Sequence, residues 1–304
     1  MKFFSFRHGS FRRIGAIGTL GGVERRLDFT VGWGRYVADT RHSLPSFPDM
    51  DELLISGLFT PQMIGMVLAH LDSLPARDLD EMSLRGDVKF DVPVKRPGQI
   101  IAIAKNYAAH AAEMGSEPPP EPRFFSKLPS SLLPCDGEIV LPNDWPGDVH
   151  HEAELAVIIG KKAKRLAAAT AREVIAGYTI INDVSHRGLQ NIDKAAGMPW
   201  TRSKSIDTFC PCGPYVVSPM HFGDDRDAAI RCRVNDELRQ DGNTSQMVFD
   251  VGALLAAITQ YCTLHPGDIV ATGTPAGVGP LRAGDTVVVE VERIGELRNA
   301  VRAG

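Results

Sequence analysis

Two glutamates separated by one residue give the strongest chemical signal in the sequence. Glu152 and Glu154 begin the segment EAELAVII, which is apolar beyond them. If this segment forms a β-strand, its side chains alternate and the two carboxylates point to the same face. Carboxylates on a face that turns apolar repel each other unless a cation lies between them. A charged strand end in solvent is the alternative, but the apolar continuation favours a metal site.

Such a site would take Mg²⁺ or Mn²⁺, because these hard cations prefer carboxylate oxygens. The segment HEAEL lacks the second histidine of the HExxH zinc motif. A further acid, Asp183, follows the apolar strand GYTIIN. A single acid at a strand end is explained better by a turn than by a metal ligand. The residues alone therefore leave the role of Asp183 open.

A second candidate site lies in KNYAAHAAEMG, residues 105–115. Its alanine-rich part predicts a short helix that ends at Gly115. His110 and Glu113 are then i and i+3 neighbours, so the carboxylate can orient the imidazole and raise its basicity, as a general base requires. An ordinary surface pair is the simpler interpretation. The stiff segment GSEPPPEP follows, and we expect residues 106–122 to form a lid that is mobile without ligand.

Three further positions carry weaker signals. Lys127 in RFFSKLPS and Lys204 in TRSKSIDTF are single lysines, which are usually solvated. The segment TGTPAGVG (272–279) follows a strand but lacks the Gly-Lys-Ser/Thr of a phosphate-binding loop. It is either a plain turn or a loop whose N–H groups, with Thr274, hold a substrate carboxylate.

Mostly β-structure is expected to position these residues. After residue 95, short strand-like segments alternate with Gly, Pro and Asp turns, and helices are expected only around 168–176 and 251–262. This pattern predicts a sandwich or rolled barrel. Thr60 and Pro61 begin a helix nearer the N-terminus, and residues 1–30 resemble short strands broken by Gly15, Gly18, Gly21 and Gly22. We predict an α+β, mostly β fold with a small N-terminal α/β domain (1–95) and a catalytic domain (96–304).

Composition excludes several classes of function. The 304 residues contain 33 Lys and Arg against 37 Asp and Glu, a net charge of −4. This balance argues against general binding to nucleic acid or anionic membranes. No apolar run is long enough for a spanning helix, and arginines interrupt the N-terminus before a signal-peptide core forms. The five cysteines lack paired spacing, which is typical of free thiols in a reducing compartment. We expect a cytoplasmic protein.

Taken together, the segments resemble the fumarylacetoacetate hydrolase family. The resemblance runs in order over about residues 98–301, and the branch containing acylpyruvases and oxaloacetate decarboxylases is the most similar. The N-terminal hundred residues are similar to the family's variable domain only loosely. The segments that carry the resemblance are NYAAHAAEMG, RFFSKLP, HHEAELAVIIGK, GYTIINDVSHRGLQ, PWTRSKSIDTFCPCGP, VNDELRQDGNTSQM, HPGDIVATGTPAGVG and IGELRNAV.

This resemblance implies roles for nine residues and a mixed β-sandwich or roll that forms a homodimer. Glu152, Glu154 and Asp183 would bind the divalent cation. His110 and Glu113 would be the catalytic dyad on a closing lid, and Lys204 would support the metal site and the developing enolate. Lys127 and Gln190 would surround the bound 2-oxo acid, with Thr274 at its carboxylate. One departure is Gly188, which follows Arg187 at a position where the family commonly has an acid. A salt bridge at this position is therefore in doubt.

The resemblance also implies the reaction. We expect a Mg²⁺- or Mn²⁺-dependent hydrolase that cleaves a C–C bond in a small 2,4-dioxo acid of the acylpyruvate type through a metal-bound enolate. Decarboxylation or isomerisation of a 2-oxo diacid, such as oxaloacetate or 2-hydroxyhepta-2,4-diene-1,7-dioate, passes through the same enolate. Hydrolysis of a diketo-deoxy sugar acid is a further option. A non-catalytic, metal-stabilised β module is the alternative outside enzymes.

Overall fold

The computed structural model describes all 304 residues as a mixed fold in which strand residues outnumber helical ones, about 35% against 26%. The twenty strands β1–β20 are Lys2–His8, Phe11–Leu20, Val23–Asp28, Phe90–Asp91, Ile100–Ala104, Arg123–Lys127, Leu132–Leu133, Glu138–Leu141, Val149–His151, Ala153–Ile159, Ile175–Asn182, Ser185–His186, Cys210–Pro211, Tyr215–Val217, Ala229–Val234, Glu237–Asn243, Ile269–Ala271, Gly279–Pro280, Thr286–Val291 and Gly295–Ala303. The predicted mostly β fold is confirmed.

Nine α-helices and three 3₁₀ turns accompany the strands. The helices α1–α9 are Phe29–Thr40, Met50–Ile55, Pro61–Asp72, Ala76–Glu81, Ala108–Glu113, Arg187–Ala195, Thr201–Lys204, Pro219–Phe222 and Val251–Tyr261, and the 3₁₀ turns are Pro129–Ser131, Ala171–Val174 and Thr244–Gln246. The helix predicted from Thr60 and Pro61 is confirmed, because the Thr60 hydroxyl accepts a hydrogen bond from the Met63 N–H. None of the helices combines the length and apolar character that a membrane span requires.

Two large sheets form most of the architecture, and two small ones, β12-β9-β18 and β13-β7, accompany them. The larger has the order β3-β2-β1-β14-β11-β10-β17-β5-β6, with β4 beside β1, and the smaller has the order β16-β15-β19-β20-β8. Strand β10 is buried on both faces. Leu155 and Val157 join the core between the sheets, whereas Ala156 and Ile158 join a second core that includes N-terminal residues. Side chains of β10 therefore alternate between the two cores, as the predicted strand around Glu154 requires.

The N-terminal strands extend the larger sheet. β1 pairs with β14 in antiparallel register, Phe3 opposite Val216. Asp51 also contacts the chain near residue 95, since its carboxylate accepts hydrogen bonds from the Lys95 and Arg96 N–H groups. The division of the chain near residue 95 remains a prediction, and the sheet and the second core both continue across it.

Two local predictions were wrong. Gly15 and Gly18 do not break a strand, because β2 runs through both of them and the chain turns only at Gly21 and Gly22. The helix expected around 168–176 is only a 3₁₀ turn, and β11 already begins at Ile175. Gly15 has a packing reason instead: it lies opposite Phe4, and a Cβ there would be 2.1 Å from the ring.

A pair of glycine substitutions tests this packing. Gly15→Ala should lower the free energy of unfolding by about 2 kcal/mol, since the added methyl group overlaps the Phe4 ring. Gly34→Ala is the matched control on α1, where a Cβ meets no atom within 4 Å. It should raise the free energy of unfolding by about 0.5–1 kcal/mol. Denaturant unfolding measures both, and a neutral Gly15→Ala would contradict the close approach.

Candidate active site

Three buried carboxylates converge where β10 and β11 pair. Ligand oxygens of Glu152, Glu154 and Asp183 all lie within 4.8 Å of one another. The antiparallel register places Ala153 opposite Asn182, and Asp183 follows at the end of β11. Glu152 lies in the gap between β9 and β10, where its N–H donates to the Asn182 side chain at 2.9 Å. The same-face prediction for the two glutamates is confirmed, and Asp183 joins them.

Cations surround two of the three carboxylates. Lys204 Nζ donates to Glu152 at 2.8 Å and to Asp183 at 2.6 Å. Lys127 Nζ forms an ion pair with the other Asp183 oxygen at 2.7 Å, and Arg187 Nη2 forms one with Glu152 Oε1 at 2.6 Å. Burial raises the pKa of Glu152, but Lys204 and Arg187 outweigh it and hold this pKa below its ordinary value.

Glu154 has no such cation. Its hydrogen-bond donor is the Gly273 N–H, at 2.8 Å. Burial, followed by the charges of Asp183 and Glu152, raises the pKa of Glu154 well above its ordinary value. Glu154 is therefore the one carboxylate of the cluster without a cationic partner of its own. The all-oxygen donor set fits Mg²⁺ or Mn²⁺, and it offers no cysteine or histidine for a softer metal.

The predicted histidine–glutamate pair lies on α5. His110 Nδ1 is 3.1 Å from Glu113 Oε2, and the Gly277 N–H donates to the other Glu113 oxygen at 3.0 Å. Because an ionised carboxylate only accepts, Nδ1 carries the proton and Nε2 is the basic nitrogen. His110 is 6% exposed and lines the same cavity as Glu152 and Glu154.

One glycine-rich loop, residues 272–279, connects both groups. Gly273 donates its N–H to Glu154 and Gly277 donates its N–H to Glu113. Both glycines have positive φ, 98° and 97°, and a Cβ at Gly277 would be 2.0 Å from the Arg239 carbonyl oxygen. The loop's N–H groups at Gly273 and Gly277 thus hold two carboxylates of the protein itself. The predicted contact of this loop with a substrate carboxylate remains a prediction.

A cavity that opens to solvent contains most of the predicted site residues. His110, Glu152, Glu154, Gln190, Lys204 and Thr274 all line it. Glu113, Lys127 and Asp183 do not line it. Lys127 is 1% exposed and forms an ion pair with the buried Asp183. The remaining lining residues are Ile103, Ala104, Lys105, Met114, Phe125, Arg187 and Trp200.

Sequence reasoning missed Arg187 and Gln240. Arg187 pairs with Glu152 and donates to Gln190 Oε1 at 2.8 Å. The buried Gln240 donates to Thr274 Oγ1 at 2.8 Å, which fixes the hydroxyl at the cavity wall. Arg187 lies within the matched segment DVSHRGLQ, so its position was a usable signal. A lone glutamine on a strand gave none.

Gly188 has a structural reason for departing from the family's acid. A Cβ at this position would lie 2.0 Å from the Pro146 carbonyl oxygen, so no larger residue fits the local backbone. The sequence left a salt bridge next to Arg187 in doubt, because Gly188 replaces the acid. In this chain Arg187 instead forms an ion pair with Glu152 of the carboxylate cluster.

The base of the predicted lid is docked on the body of the protein. Asn106 accepts a hydrogen bond from the Phe249 N–H at 2.9 Å and donates to the Thr272 carbonyl at 2.8 Å. The Val248 N–H donates to the Asn106 carbonyl at 2.7 Å. These contacts place His110 over the cavity, while the ligand-dependent mobility of residues 106–122 stays a prediction.

The fold and the cavity define a mixed α/β protein with a buried acidic site. Residues 99–302 match the family described as fumarylacetoacetate (FAA) hydrolase C-terminal. The chain belongs to the fumarylacetoacetate hydrolase family, as the sequence resemblance predicted, and members of this family are enzymes.

Relatives with full-length similarity differ in their named reactions. The chain is 42% identical over 288 residues to human mitochondrial oxaloacetate tautomerase FAHD2A, a match that covers 92% of this chain and 88% of that protein. Two solved structures each match over 100% of both chains. They are fumarylacetoacetate hydrolase from Exiguobacterium antarcticum (33% identity, TM-score 0.80) and maleylpyruvate hydrolase from Sphingobium sp. SYK-6 with manganese(II) and pyruvate (31%, 0.75).

Glu154→Gln tests the electrostatics of the cluster in metal-free protein. The raised pKa means that the folded state binds more protons than the unfolded chain above the ordinary pKa near 4.5. Ionisation of Glu154 therefore lowers the free energy of unfolding as pH rises. The variant lacks this ionisation, so its stability relative to wild type should increase between pH 5 and pH 8. Denaturant unfolding with a chelator measures this.

Glu296→Gln, an exposed position on β20, is the control and should show no such trend. A constant stability difference between the Glu154→Gln variant and wild type over this pH range would contradict the assignment of Glu154 as the uncompensated carboxylate.

Proposed function

We propose that this protein is a divalent-metal-dependent enzyme that transfers a proton next to the 2-oxo group of a small 2-oxo acid, with keto–enol tautomerisation as the net reaction. The observation that carries the proposal is the shared cavity: Glu152 and Glu154 of the carboxylate cluster line the same space as the imidazole of His110. The similarity to human oxaloacetate tautomerase over nearly the whole chain supports this reaction over the others in the family.

Glu152, Glu154 and Asp183 would hold Mg²⁺ or Mn²⁺, and the manganese in the Sphingobium structure supports such an ion. When bound, the cation supplies a Lewis acid for negative charge on the oxygen of the 2-oxo group. The choice between the two ions and the homodimer remain predictions.

Charge balance supports an anionic ligand. Three carboxylates face three cations in the cluster, Lys127, Arg187 and Lys204. A divalent ion would leave two positive charges uncompensated in a site with little water, where unbalanced charge is costly. An enolised 2-oxo acid, with one carboxylate and one enolate oxygen, supplies two negative charges.

His110 is the proposed acid–base group. In the keto-to-enol direction, Nε2 would remove a proton from the carbon next to the 2-oxo group, and the enolate oxygen would then take a proton from the imidazolium or from solvent to give the enol. The enol-to-keto direction would reverse both proton transfers. Glu113 holds Nδ1–H and stabilises the imidazolium. The Lys204 ammonium, buried between Glu152 and Asp183, adds positive charge beside the developing oxyanion.

C–C hydrolysis of an acylpyruvate is the second candidate, and the maleylpyruvate hydrolase structure with pyruvate favours it. The same residues would serve: His110 would remove a proton from water, and the hydroxide would attack the distal carbonyl. Cleavage would then leave the enolate of pyruvate. Both reactions need the base, whereas decarboxylation of oxaloacetate does not.

His110→Ala should slow oxaloacetate tautomerisation and acylpyruvate cleavage by about 10²–10⁴-fold. Decarboxylation of oxaloacetate should fall far less, because loss of CO₂ requires no proton removal. Glu113→Gln should follow the same pattern more mildly, since it orients the imidazole. Initial rates with excess Mg²⁺ or Mn²⁺, together with oxalate binding, separate chemistry from binding. The faster of the two base-dependent reactions identifies the net activity.

His70→Ala is the matched control, because its imidazole is 3.0 Å from Asp39 in a pair remote from the cavity lining. It should retain wild-type rates. Equal losses in all three reactions of His110→Ala would mean that His110 acts on a shared step rather than as the proposed base.

A further inference from the structure

Gln240 is a buried side chain that joins strand β16 to the wall of the cavity. Its amide contacts both β10 and the loop of residues 272–279. Oε1 accepts a hydrogen bond from the Ala153 N–H at 3.0 Å, and Nε2 donates to the Pro275 carbonyl oxygen at 2.8 Å. Since a backbone N–H only donates and a carbonyl oxygen only accepts, these two contacts fix which end of the amide is the nitrogen.

The other two hydrogen-bonding positions of the Gln240 amide are also occupied. Nε2 donates its second hydrogen to Thr274 Oγ1 at 2.8 Å, and His151 Nδ1 lies 3.0 Å from Oε1. Because Oε1 only accepts, His151 carries a hydrogen on Nδ1. The whole amide is therefore engaged within the protein, and Gln240 does not line the cavity.

A β-bulge turns Gln240 toward the interior. Gln240 lies opposite Cys232 on β15, and Leu238 lies opposite Arg233, so Arg239 is the extra residue of β16. Leu238 and Arg239 are exposed, whereas Gln240 is buried. Without the extra residue, Arg239 would lie opposite Cys232. A guanidinium has no acceptor, so it could not take the place of the amide oxygen.

The hydroxyl of Thr274 keeps one hydrogen to donate. Its oxygen accepts from Gln240, and no backbone or side-chain atom of the protein accepts its hydrogen. Thr274 is 2% exposed and lines the cavity together with Glu152 and Lys204. A buried donor without an acceptor is unfavourable, so the hydroxyl is prepared to donate to an oxygen of a ligand in the cavity.

We propose that Gln240 is a positioning residue that holds the Thr274 hydroxyl as an acceptor and thereby directs its hydrogen to the carboxylate of the ligand. Gln240 acts on binding through Thr274 alone, because its own amide has no hydrogen-bonding position left. This inference rests on the proposed function for the identity of the ligand as a 2-oxo acid.

A double-mutant cycle on oxalate binding tests this role. With Mn²⁺ in excess, Thr274→Val should weaken oxalate binding about tenfold, as expected when a hydrogen bond to a charged group is lost. Gln240→Met should weaken it about threefold when Thr274 is present. In a protein that already carries Thr274→Val, Gln240→Met should have no effect, because no hydroxyl remains to be directed. Calorimetric titration measures all four proteins.

Two further variants separate direction of the hydroxyl from packing. Thr274→Ser keeps the hydroxyl and should bind oxalate as wild type does. Gln240→Asn keeps an amide that is too short to bond Ala153 and Thr274 together, so it should behave as Gln240→Met does and replaces that variant if it does not fold. Gln260→Met is the matched control, because Gln260 is exposed on α9 and outside the cavity lining.

Equal weakening by Gln240→Met with and without Thr274→Val would mean that Gln240 acts on the cavity as a whole, and it would overturn the positioning role. Unchanged oxalate binding in Gln240→Met alone would also overturn it. Rates of the wild type with oxaloacetate and acetopyruvate test the proposed function separately. If the cycle shows the expected coupling while neither compound is converted, the role of Gln240 stands and the proposed reaction fails. If either compound is converted while the coupling is absent, the reaction stands and the role of Gln240 fails.

Discussion

Repulsion between three buried carboxylates is the constraint on which the site depends. Glu152, Glu154 and Asp183 have ligand oxygens within 4.8 Å of one another and little access to water. Lys204 lies between two of them, but Glu154 has only a backbone N–H as donor. Burying charge in this way is unfavourable unless further positive charge arrives. The cluster is therefore prepared for a cation, and its three neighbouring cations prepare it for an anionic ligand as well.

The fold keeps these charges together through rigid elements. Strand β10 is buried on both faces, and its pairing with β11 sets the separation of Glu154 from Asp183. The loop of residues 272–279 then holds Glu154 through Gly273 and Glu113 through Gly277. One loop therefore contacts both the carboxylate cluster and the His110–Glu113 pair, and it fixes the position of one relative to the other.

The sequence predicted the parts of this site that depend on local periodicity. The alternation in EAELAVII placed Glu152 and Glu154 together, and the i, i+3 spacing placed His110 beside Glu113. Contacts between distant segments leave no local periodicity, so the pairing of Arg187 with Glu152 and of Gln240 with Thr274 was not predicted. For Arg187, the segment that resembles the family was the one usable signal. The role of Gly15 was wrongly predicted for a similar reason. It does not end a strand but leaves room for the ring of Phe4 on the paired strand β1.

Coupled binding of Mn²⁺ and oxalate tests the central claim most directly. If the cluster needs a dication and then a dianion, each ligand must tighten the binding of the other by the same factor, since this coupling is reciprocal. Calorimetric titrations of Mn²⁺ with and without oxalate, and of oxalate with and without Mn²⁺, measure both factors. The account predicts that oxalate binds at least tenfold more tightly with Mn²⁺, as a coupling of about 1.4 kcal/mol or more. Oxalate binding of equal strength in metal-free protein would contradict it.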